Sequence, residues 1–149
     1  MTYLQLCQRL RAECQDIGSG PNSVLSEAAR DQTYINAIRD AWLEIQLMRQ
    51  DWSFWPDDGS VSLTSPQLLS VDDDELFIPE QYHVGVVYYA LTQRGLSIAA
   101  QELIEKANVG WSRYLSMLVD RYTGEIQIGE SPITYYDDTC YSVGEILAQ

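Results

Sequence analysis

The chain has 149 residues, with 22 Asp and Glu against 9 Lys and Arg, for a formal charge of −13. At 46% hydrophobic residues it can bury one core without disulfides or metal. The acidic balance argues against autonomous binding to nucleic acid or to an anionic membrane, and a single histidine, His83, excludes a multi-histidine metal site.

The first predicted element is an amphipathic helix from Thr2 to Gln15. Thr2-Tyr3-Leu4-Gln5 fits a capping box, with the Thr2 hydroxyl on the first turn and Gln5 reaching back. Tyr3, Leu6, Cys7, Leu10 and Cys14 recur at helical spacing as its apolar stripe. The stretch from Asp16 to Ser23 is a loop by composition. A longer helix then runs from about Glu27 or Asp31 to Gln50. Ile35, Ile38, Trp42, Ile45 and Met48 or Arg49 form its stripe, widened by Leu43 and Leu47. It stops in an aromatic group, Trp52, Phe54 and Trp55, followed by Pro56-Asp57-Asp58-Gly59.

Between residues 60 and 78 the helical period is lost. Ser60 to Thr64 alternates polar and apolar residues, and short apolar runs flank Asp72-Asp73-Asp74-Glu75. This predicts a β-hairpin or small meander with the acidic run at a turn. Ile78-Pro79-Glu80-Gln81 opens a third helix, with proline and an acid suited to its first turn. Gly95 is its expected stop. Ser97 caps a fourth helix to about Val119 or Asp120, with Ala100, Leu103 or Ile104, Ala107, Trp111, Tyr114, Leu115 and Leu118 as its stripe. The last 25 residues change character: Ile126, Ile128, Ile133, Tyr135, Tyr136 and Tyr141 lie in Gly- and Pro-broken, extended segments. Such a segment docks on its own domain or on a neighbour.

The charge is uneven. Residues 1–50 hold six acids and five bases, whereas 51–149 hold sixteen acids and four bases. Seven acids and no base lie from Asp57 to Glu80. A calcium loop needs oxygen ligands at set offsets with a glycine and a closing Glu. Consecutive carboxylates on an extended chain point apart, so a solvated acidic turn is the expectation. The three cysteines, Cys7, Cys14 and Cys140, lack motif spacing, and Cys7 and Cys14 share one helix face as small core residues. No basic-then-apolar leader and no apolar run of 18 residues is present, which leads to the expectation of a soluble protein made in a reducing cytoplasm. His83 is expected to make a structural hydrogen bond. HExxH, CxxC and Gly-rich phosphate loops are absent from the sequence. Tyr88 and Tyr89 point about 100° apart on a helix, so one of them is expected to face a partner, a loop or the hairpin.

Four stretches in order carry a resemblance. They are Thr2 to Glu13 with the turn at 18–21; Ala41-Trp42-Leu43-Glu44-Ile45-Gln46 running into Gln50-Asp51-Trp52-Ser53-Phe54; Ile78-Pro79-Glu80-Gln81-Tyr82-His83 with Val87 to Leu91; and a last helix with Ala107, Tyr114 and Leu118. Over about residues 2–122 the chain resembles the head-to-tail connector adaptors of tailed phages. Such chains often end soon after the last helix, whereas this one continues, and the family's usual bases in helices three and four are thin here.

The resemblance implies a mainly α fold: a four-helix bundle with a small inserted β-hairpin and an extended C-terminal arm. Residues 1–124 would form the adaptor domain, with the hairpin near 60–78, and 125–149 the arm. It further implies a ring of about twelve copies under the portal, through which DNA passes without specific binding, and a platform for a tail or nozzle protein. Its place would be the virion neck, after assembly in the host cytoplasm. No catalytic residue, cofactor or metal is expected. Trp52, Phe54, Trp55, Ile126, Ile128, Ile133, Tyr135, Tyr136 and Tyr141 are the expected contacts to portal or neighbouring subunits. Asp57, Asp58, Asp72, Asp73, Asp74 and Glu75 are expected to face the channel or a partner. Two rival classes remain: an acidic regulatory or DNA-mimicking protein that occupies a basic partner, and an enzyme with paired carboxylates in a pocket.

Overall fold

A computed structural model describes residues 1–18, 20–98 and 101–123. The protein is mainly helical. Its α-helices are α1 (Tyr3–Glu13), α2 (Ala29–Leu47), α3 (His83–Ile98) and α4 (Gln101–Tyr122), with a 3₁₀ turn, Glu80–Tyr82, leading into α3.

α1 starts as its sequence dictates. The Thr2 hydroxyl accepts from the Gln5 amide at 3.3 Å, and the Thr2 amide donates to the Gln5 side chain at 2.9 Å, closing the capping box. Its buried stripe is Tyr3, Leu6, Cys7 and Leu10, with Arg11 drawn in beside it. Ala28, the residue before α2, offers the helix no side-chain cap. Its first turn is secured instead from the preceding loop, where the Ser26 hydroxyl donates to Asp31 at 2.7 Å and the Gln32 amide group donates to the Ser26 carbonyl. Ile35, Ile38, Trp42 and Ile45 are buried as the 3-4 spacing requires. Met48 and Leu47, expected on the same stripe, lie exposed at the end of the helix.

α3 is the hub: it packs on α1, α2 and α4, whereas α4 packs extensively on α3 alone. Val86, Val87, Ala90 and Leu91 are all sealed from solvent. They fill one arc of about 140° of the helix, while Gly85, Tyr88 and Tyr89 on its other side meet α4, so α3 is covered on both sides as an interior helix is. α4, by contrast, buries only Ala107 and Leu118. α3 also runs through Gly95, the expected stop, to Ile98, and α4 begins at Gln101. Ala100 lies outside the described residues.

The seam between α3 and α4 is built on two glycines. A Cβ on Gly85 would stand 2.9 Å from Tyr114, and a Cβ on Gly110 would stand 2.9 Å from Tyr88. Each glycine thus receives the opposite helix's tyrosine, and the two rings stack 5.8 Å apart.

Residues 60–78 form no strand among the described residues. One isolated bridge, Ser62 with Ser65, is what remains of the expected hairpin, and Glu75 bridges instead to Thr2. The backbone groups are taken elsewhere. Gln67 is held by the Gln46 side chain, and the Ser70 and Val71 amides donate to the Asp74 carboxylate at 2.6 and 2.9 Å. Local side-chain bonds of this kind compete with a sheet ladder and here displace it.

Candidate functional site

The sequence flags two surfaces, one aromatic and one acidic. Trp52 and Phe54, at 4% and 8% exposure, are buried in the chain's own core, while Trp55 is half-buried. Phe54 stacks on Trp52 at 5.0 Å, and it meets Trp55 at 5.1 Å, Phe77 at 5.4 Å and Tyr122 at 5.5 Å. Trp42 closes the group against Phe77 at 5.2 Å. The Trp52 indole donates to the Ile45 carbonyl at 3.0 Å, so its polar edge is satisfied internally. The expectation that Trp52 and Phe54 anchor a partner is therefore corrected. They close the end of the helical core, and of the three only Trp55 offers substantial surface.

The chain leaves α4 at this same place. The Ser53 amide and hydroxyl both donate to the Tyr122 carbonyl, at 2.8 Å each. Tyr122 packs edge-on to Phe54 and Tyr82. Ile126, Ile128, Ile133, Tyr135, Tyr136 and Tyr141 lie outside the described residues, as does the boundary expected at residue 124.

The second surface is the acidic run, and it divides by side. Asp72 takes the Val24 amide at 2.6 Å and the Ser23 hydroxyl at 3.1 Å, fastening the loop ahead of α2. Burial works against the charge on Asp74, yet the amides of Val71 and Ser70 and the Ser70 hydroxyl hold its carboxyl below the ordinary range. The backbone carbonyls of Asp72 and Asp74 accept from Leu4 and Tyr3, so this turn also seats the start of α1. Asp73 and Glu75 point out and are exposed, as are Asp57 and Asp58. Asp58 accepts from the Ser60 amide at 2.8 Å in its own turn. Asp72 and Asp74 are thus fold-holding rather than partner-facing, which corrects their expected role.

Between these surfaces lies a polar device that sequence reasoning missed. Gln46, on the buried face of α2, donates to the Gln67 carbonyl at 3.0 Å and accepts from the Gln67 amide at 2.8 Å. The Gln67 side chain accepts from the Trp42 indole at 2.9 Å and donates to the Glu75 carbonyl at 2.8 Å. A glutamine side chain here mimics a strand edge and pins 67–75 to α2. Its position on the apolar stripe, one after Ile45, was the available signal.

His83 is buried as a structural residue. Its Nε2–H donates to the Ile78 carbonyl at 2.7 Å, and its Nδ1 lies 3.0 Å from the Met1 amino group, which also meets Glu80 at 3.2 Å. Tyr88 and Tyr89 both turn to α4: Tyr88 stacks on Tyr114, and Tyr89 meets Trp111 at 4.8 Å while donating to Glu44 at 2.7 Å. Neither faces a loop or the 60–78 segment. Burial, then the Glu44 carboxylate, pushes the Tyr89 hydroxyl up to about 12. Burial pushes the Cys7 thiol up to about 12.

A cavity of about 450 Å³ opens beside Cys14, Asp16, Arg30 and Tyr34. Its charges are spent among themselves, since Asp16 takes Arg30 and the Tyr34 hydroxyl, the latter at 2.6 Å. A smaller hollow of about 130 Å³ lies between α2 and α3, lined by Ala37, Asp40, Ala41, Glu44, Ala90 and Gln93. Among the described residues no group of His, Cys, Asp and Glu side chains gathers to hold a metal ion, and no helix is long and apolar enough to cross a membrane. No protein-family model, curated protein or solved structure matches the chain.

Proposed function

We infer that the chain is a virion structural protein: a head-to-tail adaptor that forms an oligomeric ring, binds the portal, extends its DNA channel and docks the tail. One observation carries this reading. The four sequence marks shared with connector adaptors fall, in order, on α1, on α2 with its aromatic stop, on the 3₁₀ turn entering α3, and on α4. On this reading the four helices act as a bundle around α3, and residues 125–149 act as an arm. The arm would start beside Ser53 and the aromatic end, and carry Ile126, Ile128, Ile133, Tyr135, Tyr136 and Tyr141 to the portal or to a neighbouring copy.

The partners would be about eleven further copies of the chain in a closed ring, the portal, and a tail or nozzle protein, in the neck of a virion assembled in the host cytoplasm. Asp57, Asp58, Asp73 and Glu75 are the acids with free outward surface to line a conduit. A wall of one negative sign repels the phosphate backbone and lets DNA slide without adhering.

The test is electron imaging of the purified full chain mixed with the portal of the same virion. Rings seated on the portal are expected, and truncation after Gly124 should leave a folded protein that no longer decorates it. A chain that stays monomeric and ignores the portal, yet binds a basic nucleic-acid enzyme tightly, would replace this reading with the acidic mimic.

A further inference from the structure

The hollow between α2 and α3 has a composition that asks for a particular guest. Its floor is Ala37, Ala41 and Ala90, three small side chains that leave room for a long one. Its rim carries Asp40 and Glu44. Among the described residues Asp40 pairs with its exposed neighbour Arg39, at 3.3 Å, and Glu44 accepts the Tyr89 hydroxyl through one of its two oxygens. An apolar floor under two carboxylates suits an arginine or lysine, whose stem is apolar and whose head is cationic.

Bases are scarce in this chain, and the fold spends most of those it describes. Of the four in residues 51–149, Lys106 pairs with Glu13 at 2.7 Å and Arg121 bonds the Tyr122 hydroxyl. Arg113 stands exposed on α4 and enters no ion pair among the described residues. One turn before it is Val109, 73% exposed, and one turn after it is Met117, also exposed. Residues four apart share a helix face, so Val109, Arg113 and Met117 form one apolar-basic-apolar stripe.

That stripe cannot reach its own hollow. Trp111, packed on Tyr89 beside Glu44, marks the flank of α4 next to the hollow. Arg113 lies two residues on, about 200° around the helix, on the far side. The cation and its complementary hollow therefore face in different directions on one molecule. A contact between unlike patches of two copies is heterologous, and repeated around an axis it closes a ring.

We propose that the α2–α3 hollow of one copy receives the Val109–Arg113–Met117 stripe of the next, with Arg113 between Asp40 and Glu44. The proposal rests on the ring reading and names the subunit contact that the ring would use.

The experiment measures assembly mass against concentration for the full chain, with and without the portal ring, by mass photometry. Arg113→Glu should raise the concentration for half-assembly at least tenfold, while circular dichroism stays that of the parent. Asp40→Arg should do the same alone, and the two together should restore assembly, because Glu then meets Arg across the contact. A second variant, Asp40→Cys with Arg113→Cys, should give an oxidised ladder extending beyond dimers, absent from either single change. If the parent assembles and Arg113→Glu assembles equally well, or the charge swap fails to restore it, the hollow is not the contact and the ring stands on another surface. If the parent stays monomeric even with the portal, the ring reading itself is lost and this contact with it.

Discussion

α3 and α4 share one seam but differ in what surrounds them. α3 meets every other helix, and Val86, Val87, Ala90 and Leu91 are sealed. α4 is longer, at 22 residues, yet it buries only Ala107 and Leu118 and turns Val109 and Met117 outward. Helix length and burial are thus separate quantities. A helix enclosed on several sides holds the subunit together, while a helix held by one narrow stripe keeps an outer face for something else.

The largest expected effect tests whether stability is concentrated in the hub. Leu91→Ala should cost about 2–5 kcal/mol in denaturant unfolding, and Leu115→Ala, half-buried on α4, less than half as much. Equal losses would erase the distinction between the two helices.

The seam itself comes next. Gly110→Ala forces a methyl onto the Tyr88 ring and should cost about 1–3 kcal/mol. Adding Tyr88→Ala to it should cost less than the sum of the two single changes, as contacting sites couple. Strict additivity in a double-mutant cycle would show that the tyrosine does not occupy the glycine's place.

The contact between α2 and α3 is open to a titration. Tyr89 and Cys7 are both raised in the folded state, to about 12, from ordinary values of 10.0 and 9.0. Folding favours their neutral forms, so their contribution is complete below the ordinary values and is lost as pH rises toward 12. The unfolding midpoint should fall through that window, and Tyr89→Phe should make the fall shallower. An unchanged slope in the variant would mean that Tyr89 is not held as described.

The smallest effect belongs to the outer face. Val109→Ser should change the unfolding free energy by no more than about 0.5 kcal/mol, whatever it does to assembly. A large loss would place Val109 in a core.

Much of the local structure was legible in the residues. The α1 capping box, the α2 stripe and the proline-led entry to α3 each depend on neighbours within a few positions. The acidic run was legible by half. Alternation foretold that its carboxylates point apart, but not that Asp72 and Asp74 find backbone amides to satisfy while Asp73 and Glu75 face out. The expected hairpin was misread because alternation in Ser60 to Thr64 carries no information about what competes for the backbone, and Gln46 and Asp74 compete for it. Phe54 reads as a partner contact from its neighbours alone, yet Phe77 and Tyr122 arrive from later in the chain to cover it.

By itself the sequence determined the helical class, the order of the helices and the surplus of acid in the later two-thirds, since caps, periodicity and charge are properties of neighbouring residues. Only the tertiary structure decided that α3 is the hub, that a glutamine pins the segment after α2, and that a hollow and an unspent arginine lie on different sides of the molecule. Those facts rest on residues tens of positions apart, and burial is decided by what arrives from elsewhere in the chain.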